Sequence, residues 1–302
     1  MVLFPSQPGR RFRAPELSGV AERFRATSQT VRSLIEELRQ GGGQRRSGAP
    51  GPRGDRAPGE LRVASWNLHK CVGADGRFDP ARSVAVIAEL GADLVALQEA
   101  DKRFGRRTGL LDLHALERAT GLTPLRVSDL SDGHGWHGNA LLVRPGTRAR
   151  FRRLALPGAE PRGALVAELD LAEGHLRVVA AHFGLLRRCR ARQADAILKA
   201  LSEGEQMPTL LLGDLNEWRP GARSSLRALE PVFGPVVPGP ASFPARLPVL
   251  ALDRILGWPQ GLVTEVEAHD SARARAASDH LPLTARVLLG PAAQAMALSQ
   301  AA

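Results

Sequence analysis

The sequence predicts an α/β domain of mixed β-sheets with helices packed on their outer faces. Three observations carry this. From about residue 61 onward, short β-type apolar runs are interspersed with stretches of helical spacing. Several neighbouring strands are joined by linkers too short for a crossover helix, so the sheets cannot be purely parallel. Most of a set of short polar motifs follow apolar runs, which is where an α/β enzyme holds chemistry at strand ends. These motifs are Ser65-Trp66-Asn67, Leu97-Gln98-Glu99, Ala181-His182-Phe183, Gly213-Asp214-Leu215-Asn216 and Ser278-Asp279-His280.

The elements follow in order. Over residues 17–39, Leu17, Val20, Ala21, Phe24, Val31, Leu34, Ile35 and Leu38 recur at three- and four-residue intervals, the pattern of an amphipathic helix that Gly41 to Gly43 would stop. Residues 44–60 are rich in Gly, Pro and Arg and read as a linker. Residues 1–60 are thus expected to form a basic N-terminal extension, 61–290 a folded domain, and 291–302 an Ala-rich tail. Within the domain, 62–68 is a β-type run. Pro80 opens a helix through about Leu90, with Val84, Ile87 and Ala88 on one face and Gly91 as its stop. Strands are expected at 93–97, 139–143, 165–169, 176–181, 209–212, 250–256, 262–266 and 283–288. Helices are expected at 111–120 and 187–201.

Composition narrows the class. At 302 residues the chain can bury a full core. The formal charge is +10, and residues 1–60 hold eleven Arg against six acids, about half of the excess. Such an arm suits a polyanion or an anionic membrane surface, or is simply a solvated extension. Cys71 and Cys189 lack metal-type or CxxC spacing and read as free thiols of a reducing compartment. The N-terminus has no long apolar segment, and no stretch approaches a membrane span, so the expectation is a cytoplasmic protein. No GxxxxGK[ST] or GxGxxG motif supports a nucleotide cradle.

The polar motifs suggest a hard divalent cation and phosphate-ester hydrolysis. Glu99 and Asn67 offer a carboxylate and an amide oxygen at strand ends, as Mg²⁺ prefers. Alone, each would read as a turn or cap residue. Asp214 and Asn216 follow the apolar run 210–212, and Gly213 permits a sharp exit. The carboxylate suits a water and the amide a phosphate oxygen; the plainer alternative is an Asx turn. Asp253 lies within an apolar run, where an unpaired carboxylate is costly. His280 is one partner for it, and a salt bridge to Arg254 is the alternative. Asp279 is a second carboxylate for metal or acid–base chemistry. His182 follows a strand, where a structural histidine is the ordinary case. Asn139 in Gly138-Asn139-Ala140 is a substrate-binding candidate.

Taken in order, the five motifs together with Asp253 in Leu252-Asp253-Arg254-Ile255 resemble the endonuclease/exonuclease/phosphatase superfamily, the DNase I-like group. The likeness runs from about Leu61 to Leu288. It implies a four-layer α/β sandwich of two mixed sheets flanked by helices. It implies that Asn67 and Glu99 bind metal, with Asp279, the carboxylate neighbouring the Asp–His pair, on the metal side. Asp214 and Asn216 would activate water and hold phosphate, His182 would lie near the scissile phosphate, and Asp253 and His280 would act as a pair. Two features depart from the pattern. The chain has no tyrosine, which the repair-nuclease branch uses, and Phe183 follows His182 where Leu is more usual.

The expectation is therefore a Mg²⁺-dependent hydrolase of phosphodiesters, with Mn²⁺ as a substitute, acting as a nuclease. A phospholipid or inositol-phosphate hydrolase is the alternative among enzymes, and a non-catalytic binding module of the same fold is the alternative from another class.

Overall fold

A computed structural model of the chain describes residues 58–102 and 106–290. The helix expected at 17–39, the linker up to residue 57 and the Ala-rich tail from 291 lie outside the described residues.

Two sheets form the body. The first contains β1 (Glu60–Asn67), β2 (Leu94–Gln98), β3 (Thr123–Pro124), β4 (Ala140–Val143), β10 (Val263–Ala268) and β11 (Leu283–Leu288). Its strand order is β10-β11-β1-β2-β4-β3. The second contains β5 (Arg148–Leu156), β6 (Arg162–Leu171), β7 (Gly174–His182), β8 (Thr209–Asp214) and β9 (Asp253–Trp258), side by side in that order. Each sheet is mixed, as expected. β1 pairs with β2 and β7 with β8 in parallel, and the remaining pairs are antiparallel.

Residue alternation explains the layering, because successive side chains of a strand face opposite ways. Val63, Leu94, Ala96 and Leu141 of the first sheet meet Leu165, Val178, Leu210 and Leu212 of the second in one buried core. The intervening residues face outward. Ala64, Val95, Leu97 and Leu142 pack on α1 (Pro80–Glu89), α2 (Leu113–Thr120) and α5 (Ala272–Ala277) through Val84, Ile87, Leu116 and Ala274. Val166, Val179 and Leu211 pack on α3 (Arg187–Ser202) through Ala194 and Ile197, and Phe233 of the short α4 (Glu230–Phe233) joins them. The result is the four-layer sandwich. Strands covered on both faces read as unbroken apolar runs, and each fully buried aliphatic side chain contributes about 1.5–3 kcal/mol.

Local signals set the helix ends. Asp79 caps α1, accepting from Arg82 N at 2.9 Å, and Pro80 occupies the first turn. Asp112 caps α2 in the same way, and Gly121 ends it with φ 68°.

Five elements differ from expectation. β5 reads as no strand in the sequence, because Arg148, Arg150, Arg152 and Arg153 hide its alternation. It is an edge strand paired only with β6, and its charged outer positions suit an edge. The strand expected at 250–256 begins only at Asp253. β3, α4 and α5 are too short to show a period.

One edge of the sandwich collects the polar residues. β1, β2, β7 and β8 end there, while β4, β6, β9 and β11, antiparallel to them, begin there.

Candidate active site

Asp214 is the centre of this edge. It ends β8 and is buried. Gly213 before it has φ 144°, and a Cβ there would stand 1.9 Å from the Ala181 carbonyl oxygen of β7. The glycine thus lets β7 and β8 stay close while the chain turns. Asp214 Oδ1 accepts from Asn216 N at 3.0 Å, so the Asx turn does form. The same turn leaves Oδ2 facing the site. There it accepts from Asn67 Nδ2 at 3.0 Å and lies 3.3 Å from His182 Nε2 and 3.8 Å from His280 Nε2. Asn216 Nδ2 donates to the Phe183 carbonyl at 3.0 Å.

Asp253 and His280 extend the network. His280 Nδ1 donates to Asp253 Oδ2 at 2.9 Å, and Ser242 Oγ donates to the same oxygen at 2.5 Å. Trp66 Nε1 donates to the His280 carbonyl at 2.9 Å, and the Phe243 ring centroid is 4.9 Å from the imidazole. The alternative partner, Arg254, donates instead to the backbone carbonyls of Ala251, Asp253 and Glu217. Burial disfavours the His280 cation, but Asp253 and Asp214 outweigh it and raise its pKa to about 10. Burial also opposes the Asp214 anion, yet His280, His182 and Asn67 hold its carboxyl well below the usual range. Burial pushes the Asp253 carboxyl up, against the pull of the His280 ring that lies between it and Asp214.

Asp214, Asp253 and His280 have ligand-type atoms within 4.8 Å of one another. They are poorly suited to a metal. His280 Nδ1 and Asp253 Oδ2 are already bonded to each other, and Asp214 Oδ2 already accepts from Asn67.

The expected metal ligands Asn67 and Glu99 stand at the ends of the parallel neighbours β1 and β2. Asn67 ends β1, and its Oδ1 accepts from His69 N at 3.0 Å. Glu99 follows β2, the parallel neighbour, with φ 53°. Its carboxylate is ion-paired with Lys70 Nζ. Burial pushes Glu99 up, but His182, Lys70 and Arg162 together hold it below its ordinary value. Asp279 is partly exposed, with Oδ1 3.8 Å from His69 Nδ1, while its neighbour Ser278 donates to the Asn67 carbonyl at 2.7 Å.

Asn139 is placed differently. It is fully buried, and its amide donates to the Trp136 and Gly163 carbonyls at 3.2 and 2.9 Å. It fastens the 136–139 loop to β6.

The sequence reading missed Lys70, Arg162 and Ser242. Arg162 Nη1 donates to His182 Nδ1 at 2.8 Å, and Arg162 Nη2 is 2.8 Å from Glu160. Around the rim, Arg187 donates to the Arg223 carbonyl at 3.0 Å, and the Arg219 guanidinium lies 4.6 Å from the Trp218 ring centroid. Buried Glu217 holds that loop by accepting from Arg190, Ser225 and Arg219.

A sandwich with this edge and this carboxylate–imidazole network defines a class of phosphoester hydrolases. The model of the endonuclease/exonuclease/phosphatase family matches residues 64–280, and the chain belongs to that family. Its members hydrolyse phosphoester bonds and typically depend on a divalent metal, and family and fold together indicate a phosphoesterase. YbhP of Escherichia coli strain K12, an uncharacterized protein, is 29% identical over 260 residues, covering 76% of this chain and 96% of its own. An endonuclease/exonuclease/phosphatase from Beutenbergia cavernae superposes with TM-score 0.55 at 21% identity, covering 76% of this chain and 72% of its own. Truncated Caenorhabditis elegans TDP2 superposes with TM-score 0.54 at 16% identity, covering 76% and 97%. Among the described residues no helix is long and apolar enough to cross a membrane.

Proposed function

We propose that the chain hydrolyses phosphodiesters with a bound divalent cation, Mg²⁺ by preference and Mn²⁺ as a substitute. The observation that carries this reading is the juxtaposition of two oppositely built clusters. Asp253, His280 and Asp214 form one hydrogen-bonded network, and Asn67, which joins it, ends the strand beside β2, after which the cation-lined Glu99 follows. The donor chemistry fits the metal. Glu99 supplies an ionised carboxylate and Asn67 an amide oxygen, and Asp279 is a second carboxylate in reach of hydrated coordination. A cation bound there would neutralise phosphate charge and stabilise the leaving oxygen.

The chain's own residues do the rest. Asp214 stays ionised, so its role is to orient the attacking water through Oδ2. His280, held charged by Asp253, and His182, held by Arg162, face the negative charge that develops on phosphorus-bound oxygens. Asn216 steadies a phosphate oxygen.

A nucleic acid is the leading substrate. The rim offers exposed Arg187, Arg188 and Arg192 in the first turns of α3, after His182, and Arg219 and Arg223 with Trp218 in the segment after Asn216. The structure of TDP2 from Danio rerio includes single-stranded DNA product. A phospholipid or inositol-phosphate substrate is the second reading, because Phe78, 60% exposed, stands on the loop after β1. The basic N-terminal arm would contact the same polyanion. Two buried free thiols fit a cytoplasmic location.

The test is turnover of single- and double-stranded DNA, RNA, phospholipids and inositol phosphates, with EDTA and with Mg²⁺ or Mn²⁺ restored. Glu99→Ala should nearly abolish activity in a folded protein. Full activity in excess chelator sinks the metal reading. Absence of turnover on every phosphoester leaves a binding module.

A further inference from the structure

Among the described residues seven non-glycine residues have φ in the left-handed region, and six of them lie on loops at the active edge. Three of the six are consecutive, with φ 47° at His69, 57° at Lys70 and 58° at Cys71. L-residues rarely adopt this region, and a run of three persists only where the surroundings over-determine it. Here they do. Asn67 Oδ1 binds His69 N, Cys71 N donates to the Leu68 carbonyl at 2.9 Å, and the Cys71 side chain is fully buried. The outcome of that turn is the position of one ammonium. Lys70 reaches Glu99, whose own φ is 53°.

A surface lysine needs no such backbone. This one sits on the carboxylate that the proposed function gives to a divalent cation. Two cations cannot both contact one carboxylate oxygen without strong mutual repulsion in a half-buried site. The lysine is the one able to leave, since its charge sits on a flexible four-carbon stem. Arg162 and His182 already face Glu99 from the second sheet. The charge complement that arrives with the metal is the substrate phosphate.

We propose that Lys70 is a resident counter-ion. It holds Glu99 in place in the metal-free protein, yields it to the divalent cation, and then pairs with a non-bridging oxygen of the bound phosphate. This rests on the reading of Glu99 as a metal ligand. No bond is made or broken in the exchange.

The experiment compares full-length wild type, Lys70→Gln and Lys70→Arg by Mn²⁺ titration calorimetry without substrate, and by turnover of bis(p-nitrophenyl) phosphate. Lys70→Gln should bind Mn²⁺ about 10-fold tighter, because its competitor is gone, a change of the size that neighbouring groups impose on metal sites. Its kcat should fall about 10²-fold, as for the loss of one charge-stabilising donor. Lys70→Arg should keep metal affinity and kcat near wild type. Unchanged or weaker Mn²⁺ binding by a folded Lys70→Gln overturns the proposal, as does tighter binding with undiminished kcat. If wild type and variant both fail to bind Mn²⁺, the Glu99 reading itself fails. A second measurement needs no Gln variant. The chain has three lysines, Lys70, Lys102 and Lys199, so ¹³C-methylated lysine NMR resolves them. Mg²⁺ added to the wild type should shift the signal that Lys70→Arg lacks; if that signal stays in place, Lys70 does not yield Glu99.

Discussion

Asn67 and Asp214 are hydrogen bonded to each other across the two sheets, Nδ2 donating to Oδ2 at 3.0 Å with both side chains buried. One ends β1 and the other ends β8, so neither sheet alone can build the contact. Asn67 also holds His69 N with its other amide atom. Asn67→Ala should therefore leave buried Asp214 one partner short, at a cost of about 1–3 kcal/mol, and the half-buried His69 N at a smaller one. A denaturant midpoint within error of wild type would show that water replaces both bonds.

The Asp253–His280 pair should behave as one unit. Asp253→Asn is expected to cost about 10²–10⁴ in rate, the range of a positioned acid–base group. The double variant Asp253→Asn/His280→Ala should be hardly slower than His280→Ala. Mn²⁺ affinity should change little in all three. Additive losses of rate in the double-mutant cycle would take the two residues out of a common role.

Gly213→Ala should strike fold and site together. The new methyl would meet the Ala181 carbonyl oxygen at 1.9 Å, at φ 144°. Overpacking and backbone strain together predict a loss of about 2–4 kcal/mol. His182 and Asp214, paired one position further along the same strands, should lose their alignment and with it turnover. A wild-type melting temperature with wild-type kcat would mean that β7 and β8 separate freely here.

Cys71 should be inert. Burial pushes its thiol up to about 11, against an ordinary value near 9. Native protein should release no thionitrobenzoate from Ellman's reagent at mildly alkaline pH, and both thiols should react once unfolded. The linkage has a definite sign. Between these two pKa values the unfolded chain ionises Cys71 while the folded one keeps the proton, so stability falls as pH rises through that window. Replacing Cys71 by Ala should remove that part of the alkaline slope, and an identical slope would assign it to other groups.

Removing residues 1–57 should leave turnover of a small chromogenic phosphodiester within a few-fold, since β1 begins at Glu60. Affinity for a polyanion should drop and its salt dependence flatten. Loss of small-substrate turnover in a folded truncation would tie the extension to catalysis.

The sequence made the parallel strands easy to read, and with them the residues that end them. Asn67, Glu99, His182 and Asp214 each close an apolar run, because a strand buried on both faces stays apolar until it reaches the edge. Arg162 escaped for the opposite reason. It opens β6, which runs antiparallel to β7, so a residue that precedes an apolar run reaches the same edge as one that follows. Asp253 was found, but as a strand-interior carboxylate; it too opens its strand, β9, and faces Asp214. Lys70 carried no periodic signal, since its position comes from three left-handed residues that no apolar pattern marks. Asn139, just before β4, donates its amide to two carbonyls, a contact that no apolar pattern marks. β5 was hidden by arginines that only an edge strand tolerates.

The seam between the sheets also has a kinetic meaning. A chain that has formed only the first sheet holds Asn67, Glu99 and His280; one that has formed only the second holds His182, Asp214 and Asp253. The Asn67–Asp214 bond that joins the halves spans 147 residues, and its loop must close before the site is complete. Recovery of activity during refolding thus works as a clock for sandwich closure. A folding intermediate with full secondary structure and unmatched sheets is silent, and the enzyme reports its own last docking step.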